Sequence, residues 1–192
     1  MMKSKFNTKS LSMTGLMAAL CFVGTTFLMF QIPSPLGNTR FHLGDVFCLL
    51  AGLLFGSLTG AMAGSIGMSL SDLVTGYAIY APSTFVLRLI QGFLCGWIAW
   101  RGVTSGERKA PSPVRSSVAC AVATTVYIIL YLAYHYFEKR YLWKVEHNTV
   151  LIDMAMRLGT SSFKAVINIL IAVTFAPVFR SALKRAGLDR AR

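Results

Sequence analysis

Charge is what this sequence has least of. Only 14% of its 192 residues are charged, and just seven are Asp or Glu. A soluble domain normally carries about 25% charged residues, so an ordinary soluble fold is excluded. The acids form no cluster suited to Mg²⁺, and G-x-S-x-G, H-E-x-x-H and P-loop patterns are all missing. Catalysis therefore finds little support. The three histidines, His42, His135 and His147, sit at or near expected loops without ligand spacing, and no metal or cofactor is expected. There is no CxxC pair either. Cys21, Cys48, Cys95 and Cys120 all lie inside apolar runs and read as packed thiols rather than disulfides or metal ligands. No long internal repeat of the kind seen in self-sufficient transporters is visible.

What is abundant is apolar surface. Hydrophobic residues make up 55% of the chain and mean hydropathy is +0.59, so we expect an all-α membrane protein, one compact bundle of six transmembrane helices over residues 1–192. The expected spans are 11–31, 43–56, 58–75, 83–100, 116–137 and 149–183. The first follows a basic start (Lys3, Lys5, Lys9) and competes with a signal-peptide reading. Its length and the absence of an A-x-A-like site in QIPSPLG favour a retained helix. Residues 31–42, with Pro33, Pro35 and Gly37, read as a loop. The span 43–56 is short for a crossing at about 1.5 Å per residue, so it is either a tilted helix or half of a re-entrant hairpin turning at Gly56-Ser57. Residues 76–82 form a further expected loop.

Small residues give the bundle its packing. Gly52, Gly56, Gly60 and Gly64 recur every four positions, and close approach of helices in lipid depends on such residues. Gly15, Ala19 and Val23 make a similar ladder on the first helix, a candidate docking face.

The net charge of +12 is explained by topology. Lys3, Lys5, Lys9, Arg101, Arg108, Lys109, Arg115, Arg180, Lys184, Arg185, Arg190 and Arg192 fall on one side of a six-span layout. Only Arg40, Lys139, Arg140 and Lys144 fall on the other. The positive-inside rule then puts both termini in the cytoplasm, beside anionic membrane lipid, and nucleic acid is not an expected partner.

Ionisable groups within spans are costly and mark functional positions. At about 100° per residue, Asp153, Arg157, Ser161, Lys164 and Asn168 share one stripe of the last helix, and Thr84, Arg88 and Gln91 share one face of the fourth. Ser65, Ser69, Asp72 and Gly76 line the third, and Tyr127, Tyr131 and Tyr134 the fifth. These stripes could converge on one pocket. The architectural alternatives are plain: Asp153 and Arg157 at i,i+4 could neutralise each other, Asp72 could pair with Arg88, and the tyrosines could form an interfacial belt. Lys164 has no acidic partner on its own helix.

The stretch LGDVFCLLAGLLFGSLTGAMAGSIGMSLSDLVTGYAIYAPSTFVLRLIQGFLCG resembles the substrate-binding S components of energy-coupling factor (ECF) vitamin transporters, riboflavin/hydroxymethylpyrimidine-type group. The resemblance rests on Gly44-Asp45, the LLFG turn at Leu53 to Gly56, the D-L-x-x-G-Y element at Asp72 to Tyr77, and A-P-x-T at Ala81, Pro82 and Thr84 before Arg88. It implies a substrate-specific subunit of an ECF-type ABC importer in the prokaryotic plasma membrane. Such a subunit takes a vitamin or vitamin precursor from outside and works with a transmembrane coupling protein and two cytoplasmic ATPases. Gly15 and Ala19 would fill the docking face for the coupling protein. The substrate-binding set is Asp72, Tyr77, Thr84, Arg88, Gln91, Tyr131, Tyr134, Asp153, Arg157, Ser161 and Lys164. Ser161 and Lys164 stand where relatives often carry Asn-x-x-Gln, and Arg88 where a lysine is common. The resemblance therefore does not extend to riboflavin as the ligand; an extra cation suits a carboxylate, a phosphate or an electron-rich ring oxygen. The alternative from another class is a small membrane enzyme acting on a lipid or isoprenoid through Asp72, Asp153 and the basic residues.

Overall fold

A computed structural model describes residues 8–34, 36–101 and 111–186; the expected cytoplasmic residues Lys3, Lys5, Arg108, Lys109, Arg190 and Arg192 lie outside them. Six α-helices dominate: α1 (Thr8–Thr26), α2 (Gly44–Phe55), α3 (Ser57–Val74), α4 (Ala81–Trp100), α5 (Pro113–Phe137) and α6 (His147–Arg185). Three stretches, Ala78–Trp100, Pro113–Leu142 and His147–Arg185, are long and apolar enough to cross a membrane. Large apolar side chains such as Leu11, Leu70, Phe163 and Leu170 point outward, the arrangement expected where the surroundings are hydrocarbon rather than water.

One element departs from the all-α expectation. The first apolar run does not stay helical to residue 31: α1 stops at Thr26, and strands β1 (Met29–Ser34) and β2 (Gly37–His42) form an antiparallel hairpin. The pairs run from Met29 opposite His42 to Ser34 opposite Gly37, so residues 31–34 and 37–42 of the expected loop are strand. Pro33 is tolerated because β1 is an edge strand in a two-stranded sheet. A short apolar run cannot by itself distinguish a helix end from a strand. Phe30 stacks on Phe41 across the pair, with centroids 4.7 Å apart.

The loop expected at 76–82 contains a 3₁₀ turn, Ala78–Tyr80, and α4 begins at Ala81 with Pro82 in its first turn, where a missing N–H costs nothing. Beyond α5 the chain makes a π-helical turn, Glu138–Leu142, a form frequent at functional sites.

Glycines set the helix spacing. Gly56, at φ 91°, makes the turn between α2 and α3, so Gly52 and Gly60 face each other across a bend rather than sharing one helix face. A Cβ on Gly60 would lie 2.7 Å from the Gly52 Cα, and one on Gly92 would lie 2.3 Å from the Gly60 carbonyl oxygen. Backbones therefore touch where α2, α3 and α4 cross. Helix α2 is the core of the bundle: every residue of it except Phe47 is buried. At one end, Arg180 Nη2 donates to the Leu53 carbonyl and Arg115 Nε to the Ile98 carbonyl, satisfying groups at helix C-termini that have no intrahelical partner.

Candidate functional site

At the hairpin end the helices diverge around a cavity of about 410 Å³, within the range of small-molecule pockets. Strand β2 contributes Thr39, Arg40 and His42; α3, α4, α5 and α6 supply most of the remaining walls, completed by residues of the turns that follow α3 and α5.

The innermost part is a buried ion cluster. Asp45, at the start of α2, is contacted by Arg88 of α4 through one carboxylate oxygen. Lys164 Nζ lies 3.0 Å from the other oxygen, which also accepts from Asn168 Nδ2 at 3.3 Å. All three charged side chains are buried: Asp45 and Arg88 are 3% exposed and Lys164 9%. Arg88 Nη1 also donates to Gln91 Oε1 at 2.6 Å, and its guanidinium lies 3.9 Å above the Tyr127 ring. Gln91 Nε2 in turn reaches Thr124 Oγ1 at 3.5 Å.

Asp72 does not pair with Arg88. It is held instead by Arg40 from the hairpin and by the Thr84 hydroxyl, both at 2.5 Å. Arg40 covers the Tyr77 ring at 4.1 Å, and Gln31 Nε2 donates to the Tyr77 hydroxyl. The hairpin is fastened at its far end too. Asp153 accepts from the Ser34 hydroxyl and the Leu36 N–H, while Lys139 Nζ donates to the Leu36 carbonyl at 2.8 Å. Asp153 and Arg157 form the i,i+4 pair, 2.7 Å apart, and Arg157 Nη1 also donates to the Tyr131 hydroxyl at 2.9 Å. Tyr131 and Tyr134 both pack edge-on against His135, and His135 meets Glu138 of the π-helical turn at 2.9 Å.

Most of the expected site residues thus meet in one place. Asp72, Tyr77, Thr84, Arg88, Tyr131, Tyr134, Arg157, Ser161 and Lys164 line the cavity. Gln91 and Asp153 stand behind its wall and orient Arg88 and Arg157. Ser65 and Ser69 turn back onto carbonyls of their own helix. Contributors absent from the expected set include Thr39, Arg40 and His42 of the lining and Asp45 beneath it. Asp45 is visible in the sequence as one of the few acids in an apolar stretch, but its partners lie 43 and 119 positions away, beyond any periodicity. Arg40 counts in the sequence only as an outer-face charge. Gly15 and Ala19 are remote from the cavity, on an exposed face of α1, and Gly15 has open space around it.

Three cavity-lining residues carry buried polar atoms without a protein partner: Thr39 Oγ1, Arg40 Nη1 and His42 Nδ1. Burial pushes the His42 imidazole well below its ordinary value of 6.5, with the Lys164, Arg88 and Arg40 cations reinforcing the effect and Asp45 opposing it. Below pH 6.5 the unfolded chain takes up a proton that the folded chain refuses. Stability therefore falls with acid, by at most about 1.4 kcal/mol per pH unit from this group. Thermal unfolding at about pH 7.5 and about pH 5 is expected to show the decline, with a shallower slope in His42→Gln. Identical slopes in parent and variant would refute the assignment.

The architecture defines a helical membrane protein built around a cavity the size of a small molecule. The chain belongs to the family of ECF-type riboflavin transporter S components, whose sequence model matches residues 5–177. Members of that family are substrate-binding subunits of transporters rather than enzymes, which speaks against the lipid-enzyme alternative; Asp72 and Asp153 are taken up by Arg40 and Arg157. The chain is also similar to an uncharacterised protein of Pyrococcus woesei, "Uncharacterized protein in gap 3'region". They are 34% identical over 45% of this chain and 57% of the relative. It is likewise similar to a UPF0397 protein of Streptococcus pneumoniae strain Hungary19A-6, at 33% over 41% of this chain and 42% of the relative. The chain spans about half the length of the curated relatives it matches.

Proposed function

We propose that this chain captures a vitamin or vitamin precursor from outside the cell and delivers it through an ATP-driven module supplied by other chains. The observation that carries the reading is the hairpin-covered cavity with its partnerless polar atoms at Thr39, Arg40 and His42. In a buried site such atoms cost free energy until a ligand meets them. The substrate-binding set is Asp72, Tyr77, Thr84, Arg88, Tyr131, Tyr134, Arg157, Ser161 and Lys164, to which we add Arg40, Thr39 and His42, with Gln91 and Asp153 as supports.

The protein crosses the prokaryotic plasma membrane several times with both termini cytoplasmic, as the sided distribution of Lys and Arg favours. Its partners are a transmembrane coupling protein and two cytoplasmic ATPases, with Gly15 and Ala19 on the coupling face. The open surroundings of Gly15 support that role.

Purified protein is expected to retain its ligand with no ATP present and to transport nothing alone. Mass spectrometry of small molecules released from the purified chain identifies the ligand, and equilibrium binding of that compound gives its affinity. Concentrative uptake into liposomes by this chain alone would overturn the proposal.

A further inference from the structure

The ion cluster at the cavity floor is not balanced. Asp45 brings one negative charge against two cations, Arg88 and Lys164, both buried. Arg40, the next cation along the wall, is matched by its own carboxylate, Asp72, and Arg157 by Asp153. One positive charge is therefore left over beside Asp45. An uncompensated charge in a low-dielectric interior is strongly unfavourable. Close to it lie the partnerless atoms of β2: Thr39 Oγ1 and Arg40 Nη1, residues that share a small recess with Ser161 and Lys164, and His42 Nδ1. Thr39 and His42 are themselves 7% and 6% exposed. Surplus positive charge and unused hydrogen-bonding atoms thus occupy the same corner, between β2 and α6.

Resting on the capture function proposed above, we infer that this corner is a subsite for the anionic group of the ligand. The substrate class is then a small molecule with a single carboxylate or phosphate-like group, its body lying among Tyr77, Tyr127, Tyr131 and Tyr134. The anion compensates Lys164 and accepts from Arg40 Nη1 and the Thr39 hydroxyl. Neutral ligands of the same shape leave the surplus charge in place and forfeit that gain.

The test compares pyridine-3-carboxylate with pyridine-3-carboxamide, two flat rings of nearly equal size that differ by one charge. Thermal unfolding of the full chain in lipid nanodiscs is followed with each compound, for the parent and for Lys164→Met. The parent is expected to bind the carboxylate at least about tenfold more tightly than the carboxamide, a difference of about 1.4 kcal/mol. Lys164→Met removes the surplus charge, so it is expected to melt above the ligand-free parent and to lose the preference. Equal stabilisation by the two compounds, stabilisation by neither, or a Lys164→Met variant melting below the parent would each overturn the inference. ATP-dependent uptake with the coupling module is scored separately. If uptake persists while the charge preference fails, the capture function stands and only the substrate class falls.

Discussion

Asp45→Asn is expected to be among the most damaging single changes in the protein. The substitution keeps the shape of the side chain but removes the carboxylate that faces both Arg88 and Lys164. Two buried cations are then left without a counter-charge. Removing one partner of a buried ion pair costs about 3–5 kcal/mol, and here one acid serves two bases. The expected outcome is a large fall in melting temperature and in the yield of folded protein. Asp45→Asn combined with Lys164→Met leaves only Arg88 uncompensated, so the double variant is expected to recover part of the loss. Thermal unfolding of the two variants beside the parent decides the matter. An Asp45→Asn protein as stable as the parent would show that the cluster does not hold the bundle together.

Gly92→Ala is the second substitution with a large expected effect, for a reason that has nothing to do with charge. The added methyl carbon would sit 2.3 Å from the Gly60 carbonyl oxygen, 2.4 Å from its carbon and 2.8 Å from the Ala61 nitrogen. These are backbone atoms, which cannot rotate out of the way as a side chain can. Helices α3 and α4, which share the most extensive interface in the bundle, would have to separate. Overpacking of this kind costs about 1–3 kcal/mol, and more where the neighbours are rigid. Gly15→Ala is the control: nothing lies within 4 Å of the added atom, so melting temperature is expected not to fall, and helix propensity favours alanine by up to about 1 kcal/mol. Equal melting temperatures for the two alanine variants would refute the packing argument.

The contrast between these two sites shows what could be read from the chain and what could not. The stripe Asp153, Arg157, Ser161, Lys164 and Asn168 obeys helical spacing, and all five residues are buried on one side of α6. Thr84, Arg88 and Gln91 follow the same logic on α4. Wherever neighbours in space are neighbours on a helix face, periodicity finds them. Lys164 and Asp45 are joined across the whole bundle, and nothing local in either segment announces the other. The hairpin was concealed for a different reason. Its first strand continues an apolar run and carries Pro33, so it reads as the end of a helix followed by a loop. With the hairpin hidden, Thr39, Arg40 and His42 could not be assigned to the cavity, although they supply its unused hydrogen-bonding atoms. The pairing of Asp72 shows the same limit: Arg88 is the nearer cation in the chain, but Arg40 is the one that reaches it.

Helix α2 also bears on how the protein is made. Its twelve residues extend about 18 Å, well short of a hydrocarbon layer of about 30 Å. It has almost no surface left over for lipid once its neighbours surround it. A segment that short, carrying Asp45 near its start, gains too little from hydrocarbon to settle there unaided. It must therefore enter the bilayer together with α3, as a pair folded at Gly56, and wait for α4 and α6 to bring the cations that neutralise it. The order of synthesis thus leaves Asp45 without a counter-charge until α4 emerges with Arg88, and a chain truncated before Arg88 would be a natural target for membrane quality-control proteases.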